Sequence, residues 1–320
     1  MTAEQFKPDE VLQYPLPHDG VGDMHIFTGN PEHLVLLCAG FPDNHEAMIP
    51  LAQRLKQTAA VICLPGYDDR NMYPDGYTID DWVACFHSAK HVLQKRFPNA
   101  SNKQQFSVLV HDWGVVAGTC FVNRYAEEEP TNKLILLDVL APPHKRAPEP
   151  TPSPEHPPAS ALQVFHTVLG TMSYQLSFAL VFALQRYVHK YVATAWMVVS
   201  SQVLTACRLT PTRKIDALHV NKHIKLTFNT MYMTYPYFFV YKSMLTGNAR
   251  VFSQFFIPTK VPVLYMYGQD KNFCFHDDKA LNFVSQNNGG KVVGVKDAGH
   301  WLHWQQPDLV FEEIDSFLAK

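Results

Sequence analysis

The chain has 320 residues, 47% hydrophobic and 18% charged, with a formal net charge of −2. That length holds one large core, or a core with an inserted cap. The balanced charge, with no long basic run, gives nucleic-acid binding no electrostatic support. Six cysteines lie scattered without paired spacing, several inside apolar runs; they read as reduced, structural thiols of a cytoplasmic protein. The first ten residues show no apolar core of a secretory signal, and no stretch reaches the ~18 uninterrupted apolar residues of a membrane span.

In chain order, residues 11–27 read as two short strands about a turn at Asp19-Gly20. Residues 33–38 form a buried strand that opens into Ala39-Gly40-Phe41-Pro42-Asp43, a turn rich in breakers. Helical spacing over 46–56 precedes a strand at 60–64, closed by Pro65-Gly66. Thr78 is placed to cap a helix over 80–97. A strand at 106–110 runs into His111-Asp112-Trp113-Gly114 and a helix over 115–125; another strand, 133–137, closes at Asp138. Strands alternating with helices predict a mostly parallel sheet covered on both faces.

The alternation stops at 141–160. Prolines there, from Pro142 and Pro143 to Pro157 and Pro158, fix φ and remove donors, which predicts a stiff linker. Residues 161–246 are helical in character and aromatic. A strand at 261–267, a helix at 277–287, a strand at 291–295 and a closing helix from Pro307 restore the pattern. The expected architecture is one α/β domain, 1–142 with 251–320, interrupted by a helical cap at 143–250.

Strand, sharp turn and helix around Asp112 describe a nucleophile elbow, which presents one side chain above a sheet beside a free backbone N–H. A carboxylate directly after a buried strand is costly unless the site uses it. Gly-x-Ser-x-Gly is absent, and Asp112 stands where the serine would be. Tyr267-Gly-Gln-Asp270 ends the penultimate strand, and Asp297-Ala-Gly-His300 follows the last.

Asp112, Asp270 and His300, in the order nucleophile, acid, base, together with the Gly40-Phe41-Pro42 turn, resemble the aspartate-nucleophile branch of the α/β-hydrolase family. That branch includes epoxide hydrolases and haloalkane dehalogenases, and the resemblance covers roughly residues 20–140 and 255–320. It implies an α/β-hydrolase fold with an inserted cap. Asp112 would form an alkyl ester, which water activated by His300 would hydrolyse, with Asp270 orienting the imidazole. Asp138, at another strand end, is the alternative acid, because some dehalogenases resembling this chain take theirs there. Backbone N–H groups of Phe41 and Trp113 would form the oxyanion hole.

In epoxide hydrolases two cap tyrosines protonate the leaving oxygen. Ser173-Tyr174-Gln175-Leu176 resembles the first tyrosine motif and Val240-Tyr241-Lys242 the second, so the roles carry over to Tyr174 and Tyr241. Tyr235 or Tyr237, around Pro236, could stand in for the second. A dehalogenase would instead grip a halide. Trp113 suits that, but Phe41 replaces the asparagine of one subgroup and Trp196 is the remaining cap tryptophan. The expectation is therefore a hydrolase of a lipophilic epoxide. The alternatives are a dehalogenase on the same nucleophile and a non-catalytic ligand-binding protein with a hydrolase fold.

Two features depart from the family. Ala39 replaces the histidine that usually opens the oxyanion turn, which bears on turn rigidity and rate. Residues 176–207 are strongly apolar, interrupted by Arg186, His189 and Lys190, which fits a pocket for a lipophilic substrate or a contact with a membrane surface. No cofactor or metal site is expected, and water is the cosubstrate.

Overall fold

The computed structural model describes residues 7–68, 70–98, 104–144, 161–213, 216, 228–248, 252–287 and 289–320. Most of the proline-rich segment lies outside them.

Among the described residues eight strands form one sheet: β1 (Glu10–Pro15), β2 (Val21–Phe27), β3 (Asn30–Cys38), β4 (Gln57–Ile62), β5 (Gln105–His111), β6 (Lys133–Leu137), β7 (Val263–Gly268) and β8 (Lys291–Val295). Their order is β1-β2-β4-β3-β5-β6-β7-β8. β2 pairs antiparallel with both neighbours, and every other pairing is parallel.

The alternation of side chains along each strand divides the core into two layers. Leu34, Leu36, Val108, Val110, Leu134 and Leu136 enter one. Val35, Leu37, Leu109, Ile135 and Leu137 enter the other. The first layer meets α2 (Ile79–Arg96) through Trp82, Phe86 and Leu93, and α3 (Trp113–Arg124) through Cys120 and Phe121. The second meets α1 (Ile49–Ala52) through Leu51, and the closing helix, Pro307–Ala319, through Val310 and Ile314. The central strands are apolar on both faces because both faces are covered.

Local chemistry sets the helix ends. Thr78 and Asp81 form a reciprocal capping box that starts α2. The helix expected over 46–56 is shorter: a 3-10 turn at His45–Ala47 precedes α1. Pro50 sits in the first turn of α1, and its ring and missing N–H bar a continuous helix from Glu46.

Between β6 and β7 the chain builds α4 (Ala161–Tyr187), α5 (Lys190–Ala206), α6 (Phe228–Tyr232) and α7 (Tyr235–Leu245). α4 packs along α5 and α7. Among the described residues one helix, Val164–Tyr187, is long and apolar enough to cross a membrane by length and composition, and one third of its most apolar window is buried. Leu162, Phe165, Met172 and Leu176 of α4 and Val199 and Val203 of α5 are exposed. α8 (Asp278–Gln286) and α9 (Leu302–Gln305) lie between β7 and the closing helix, α10. The expected fold class is observed.

Candidate active site

The site gathers at the carboxyl ends of the parallel strands, where open α/β sheets place their ligands. β3 delivers the turn from Ala39 to Asp43, β5 delivers Asp112, β6 delivers Asp138, and the loop after β8 delivers His300.

Asp112 has φ 53° and ψ −126° and makes no side-chain cap to α3. A non-glycine residue at positive φ is strained, and the surrounding packing must impose it. The strain aims the carboxylate out of the turn. A Cβ at Gly40 would lie 2.1 Å from the backbone nitrogen of Trp113 and 2.6 Å from Asp112 Oδ1, so only glycine lets the two turns approach this closely. Backbone N–H groups of Trp113 and Phe41 face the carboxylate and favour its charged form. Burial acts the other way and is stronger, so the Asp112 carboxyl sits above its ordinary pKa despite these donors and His300.

His300 is buried. Its Nε2 lies 3.5 Å from Asp112 Oδ2, and its Nδ1 lies 2.5 Å from Asp138 Oδ2. Burial alone would depress the imidazole, but the charge and hydrogen bond of Asp138, joined by Asp112, outweigh it and raise the pKa above 6.5. For Asp138, burial pushes upward, yet Lys271 and His300 together hold its carboxyl well below the carboxylate range.

Asp270, the residue expected to orient His300, does not meet it. Its side chain is 40% exposed, and its Oδ1 accepts from Arg213 at 2.7 Å on the wall of the cavity above the site. The orienting position is filled by the alternative acid, Asp138, which is inside the protein and has its charge matched there.

The turn after β3 lacks the family histidine at Ala39 but has another brace. Asp43 N donates to Gly40 O at 2.8 Å, and Trp301 Nε1 donates to Asp43 Oδ2 at 2.6 Å. Burial lifts the Asp43 carboxyl to about 7, with the indole bond opposing. The turn is therefore tied to the residue directly after His300. His111 Nε2 lies 2.9 Å from His300 O and ties the end of β5 to the same loop.

A further anchor comes from the inserted region. Asp216, fully buried, accepts from His300 N at 2.8 Å, Gln305 Nε2 at 3.0 Å and Arg213 N at 3.1 Å. Nothing in the local sequence distinguishes Asp216, and sequence reasoning passed over it. Lys271 was also missed, although its place beside Asp270 at the end of β7 was visible.

A cavity of about 880 Å³ opens over Asp112 and His300, lined also by Phe41, Tyr174, Phe178 and Tyr237. Tyr174 and Tyr237 are both buried, with ring centroids 6.1 Å apart, and both feel the Asp112 charge. Burial, followed by that charge for Tyr237, pushes the phenols above their ordinary pKa and keeps them protonated. Tyr241, the second tyrosine expected, lies away from the cavity: its hydroxyl donates to Met172 O at 3.0 Å. Tyr235 is taken up in the core, donating to Pro65 O at 2.9 Å and accepting from Trp82 Nε1 at 2.9 Å. The Trp113 ring packs edge-on against that of Tyr237, with centroids 5.0 Å apart, while Trp196 is 41% exposed on α5.

Comparison with known proteins agrees with this geometry at the level of the fold. The model of the alpha/beta hydrolase fold family matches residues 33–307. A sequence search of curated proteins gave no match. Among solved structures, a haloalkane dehalogenase loop variant from Bradyrhizobium elkanii is 12% identical and superposes with a TM-score of 0.64, covering 97% of each chain. An epoxide hydrolase from Vigna radiata is 16% identical, with a TM-score of 0.57 over 97% of this chain and 98% of that one. A thermophilic esterase from Thermogutta terrifontis is 14% identical, with a TM-score of 0.57 and the same coverage. Identities this low speak for the fold and not for a reaction. The chain belongs to the α/β-hydrolase fold family.

Proposed function

We propose that the chain is an epoxide hydrolase that works through a covalent ester on Asp112. The observation that carries this reading is the pair of buried, protonated tyrosine hydroxyls, Tyr174 and Tyr237, on the same cavity as Asp112. Opening an epoxide requires a proton donor at the ring oxygen and a nucleophile at the ring carbon, and neutral phenols donate without holding a fixed charge.

In the first step a carboxylate oxygen of Asp112 attacks one epoxide carbon, the carbon–oxygen bond breaks, and the released oxygen takes a proton from a tyrosine. The product is a hydroxyalkyl ester. In the second step His300 takes a proton from water, which adds to the ester carbonyl carbon of Asp112. The resulting oxyanion faces the N–H groups of Phe41 and Trp113, and collapse releases a vicinal diol. Asp138 stabilises the imidazolium formed in that step. In that collapse the departing alkoxide takes the proton held by His300, and the proton left on the regenerated Asp112 carboxyl restores the tyrosine through solvent.

The elbow carries no serine or cysteine, which weighs against an acyl-enzyme esterase. A dehalogenase needs N–H donors that face the departing halide; neither the Trp113 nor the Trp196 indole lines the cavity. The apolar wall formed by Phe41, Phe178 and Phe275 supports a lipophilic substrate. The exposed apolar side chains of α4 and α5 support a contact with a membrane surface, which liposome flotation tests; a chain left at the bottom of the gradient removes that part of the reading.

The deciding experiment is a single turnover of a lipophilic epoxide in ¹⁸O-labelled water with protein in excess. Unlabelled diol in the first turnover means the oxygen came from Asp112. Labelled diol means direct attack by water and ends the covalent mechanism. No diol across a broad epoxide panel ends the epoxide reading itself and returns the choice to haloalkanes or to ligand binding without turnover.

A further inference from the structure

On the face of the molecule formed by α2 and the end of α3, three side chains converge that the reaction does not use. His87 and His91 lie one helical turn apart on α2, and Glu129 follows α3. The Nε2 atoms of the two histidines are 2.9 Å apart, and each lies 3.1 Å from Glu129 Oε1. These three atoms are the convergent His, Cys, Asp and Glu ligand set among the described residues. We propose that His87, His91 and Glu129 bind a single zinc ion that clamps α2 to the chain leaving α3.

The spacing supplies the first reason. Residues i and i+4 share a helix face, so both imidazoles project to the same side and reach one ion. The size of the triangle supplies the second. Zinc held tetrahedrally at its usual ~2.0–2.1 Å from nitrogen and oxygen keeps its ligand atoms about 3.3 Å apart. The observed edges of 2.9 to 3.1 Å need to open by only a few tenths of an ångström.

The surroundings hold the ligands in place, as the outer partners of metal sites do. Lys90 Nζ, on a side chain 4% exposed, lies 3.0 Å from Glu129 Oε2 and donates to Glu129 O at 3.2 Å. One carboxylate oxygen is thus taken by Lys90, and the other is left to the imidazoles. The His87 ring stacks on Tyr125, with centroids 4.2 Å apart and planes 9° from parallel. The donor set is two imidazole nitrogens and one carboxylate oxygen, which suits zinc better than magnesium or calcium. His91 is 54% exposed in its side chain, so the fourth position opens to water.

Without an ion the same contacts are a hydrogen-bonded cluster, in which the two facing nitrogens share one proton. The test must separate that arrangement from a metal site, and from adventitious capture by the other histidines of the chain. The full-length protein, stripped with EDTA and returned to buffer, is titrated calorimetrically with zinc chloride at neutral pH. Its thermal midpoint is read with and without zinc. One zinc should bind per chain and raise the midpoint by several degrees. His87→Gln/His91→Gln should lose about 100-fold or more in affinity together with the thermal shift, and Glu129→Gln about 10-fold. His91→Gln alone, at a half-exposed ring, serves as the variant least able to disturb folding, and its midpoint in EDTA should match that of the parent. Failure of the parent to bind zinc at micromolar concentration overturns the proposal. So does an unchanged affinity and thermal shift in either histidine variant.

Discussion

Lys271 Nζ donates to Asp138 Oδ2 at 2.7 Å, and both side chains are completely buried. The same oxygen meets His300 Nδ1 at 2.5 Å. A carboxylate that orients a histidine normally has one cationic partner during turnover; this one has a second, fixed partner at all times. The pair should keep Asp138 ionised through the reaction, so that the proton taken from water stays on His300.

Removal of the charge on Asp138 separates its role from that of Asp270. Asp138→Asn alone strands the Lys271 ammonium in the core, which costs about 3–5 kcal/mol of stability. Asp138→Asn with Lys271→Met avoids that penalty and should fold. In the double variant, ester hydrolysis should slow by about 10³–10⁴-fold. Asp270→Asn breaks only a half-exposed pair with Arg213, worth at most about 1 kcal/mol, and the rate should stay within about fivefold. Single-turnover kinetics and thermal denaturation read both effects. Equal losses in the two backgrounds would remove Asp138 from the mechanism.

The tyrosine assignment is tested by the rate of ester formation in stopped flow. Tyr174→Phe and Tyr237→Phe each remove a proton donor that faces the cavity and should slow this step by about 100-fold. Tyr241→Phe removes a bond to Met172 O away from the cavity lining and should change the rate by no more than about threefold. A large loss in Tyr241→Phe with a small one in Tyr237→Phe would reverse the assignment.

The pH dependence has a definite sign. His300 must be neutral to accept a proton, so ester hydrolysis falls as pH drops through its pKa. Asp138 and Asp112 raise that pKa above 6.5 in the resting protein. Ester formation removes the Asp112 charge, so the pKa should fall in the intermediate, where the base is needed. The acid limb of ester decay should therefore lie below the His300 titration of the free protein followed by NMR. A limb at higher pH would contradict the electrostatic account. Stability moves independently: Asp138, depressed in the folded state, contributes fully above the unfolded carboxylate pKa, and that contribution is lost as pH falls below it.

Asp216 gives the inserted region a grip on the loop that carries His300. It accepts from His300 N, and a Cβ at Gly299 would sit 2.4 Å from both of its carboxylate oxygens. Asp216→Ala should lower the thermal midpoint by several degrees and slow ester hydrolysis by about tenfold, through loss of a buried charged hydrogen bond. Asp216→Asn keeps an acceptor for His300 N and should recover most of the rate. Gly299→Ala should resemble Asp216→Ala because it displaces the same carboxylate. Full activity in Asp216→Ala would show that the loop holds its geometry alone.

The sequence by itself determined what local pattern encodes. The apolar runs fixed β3, β5, β6 and β7 to within a few residues, because a strand covered on both faces must be apolar along its whole length. Asp112 was legible as a candidate because a carboxylate between such a strand and a helix either caps the helix or serves a site, and His300 because it follows the last strand in a Gly-His turn. The tertiary structure decided what depends on long-range placement. Asp138 and Asp270 both end strands, and only the packing around the His300 loop, 162 residues beyond Asp138, determines which carboxylate the imidazole reaches. Tyr237 and Tyr241 share a face of α7, separated by about 6 Å of helix rise. Which of them enters the cavity depends on where along α7 the cavity lies, and periodicity carries no information about that.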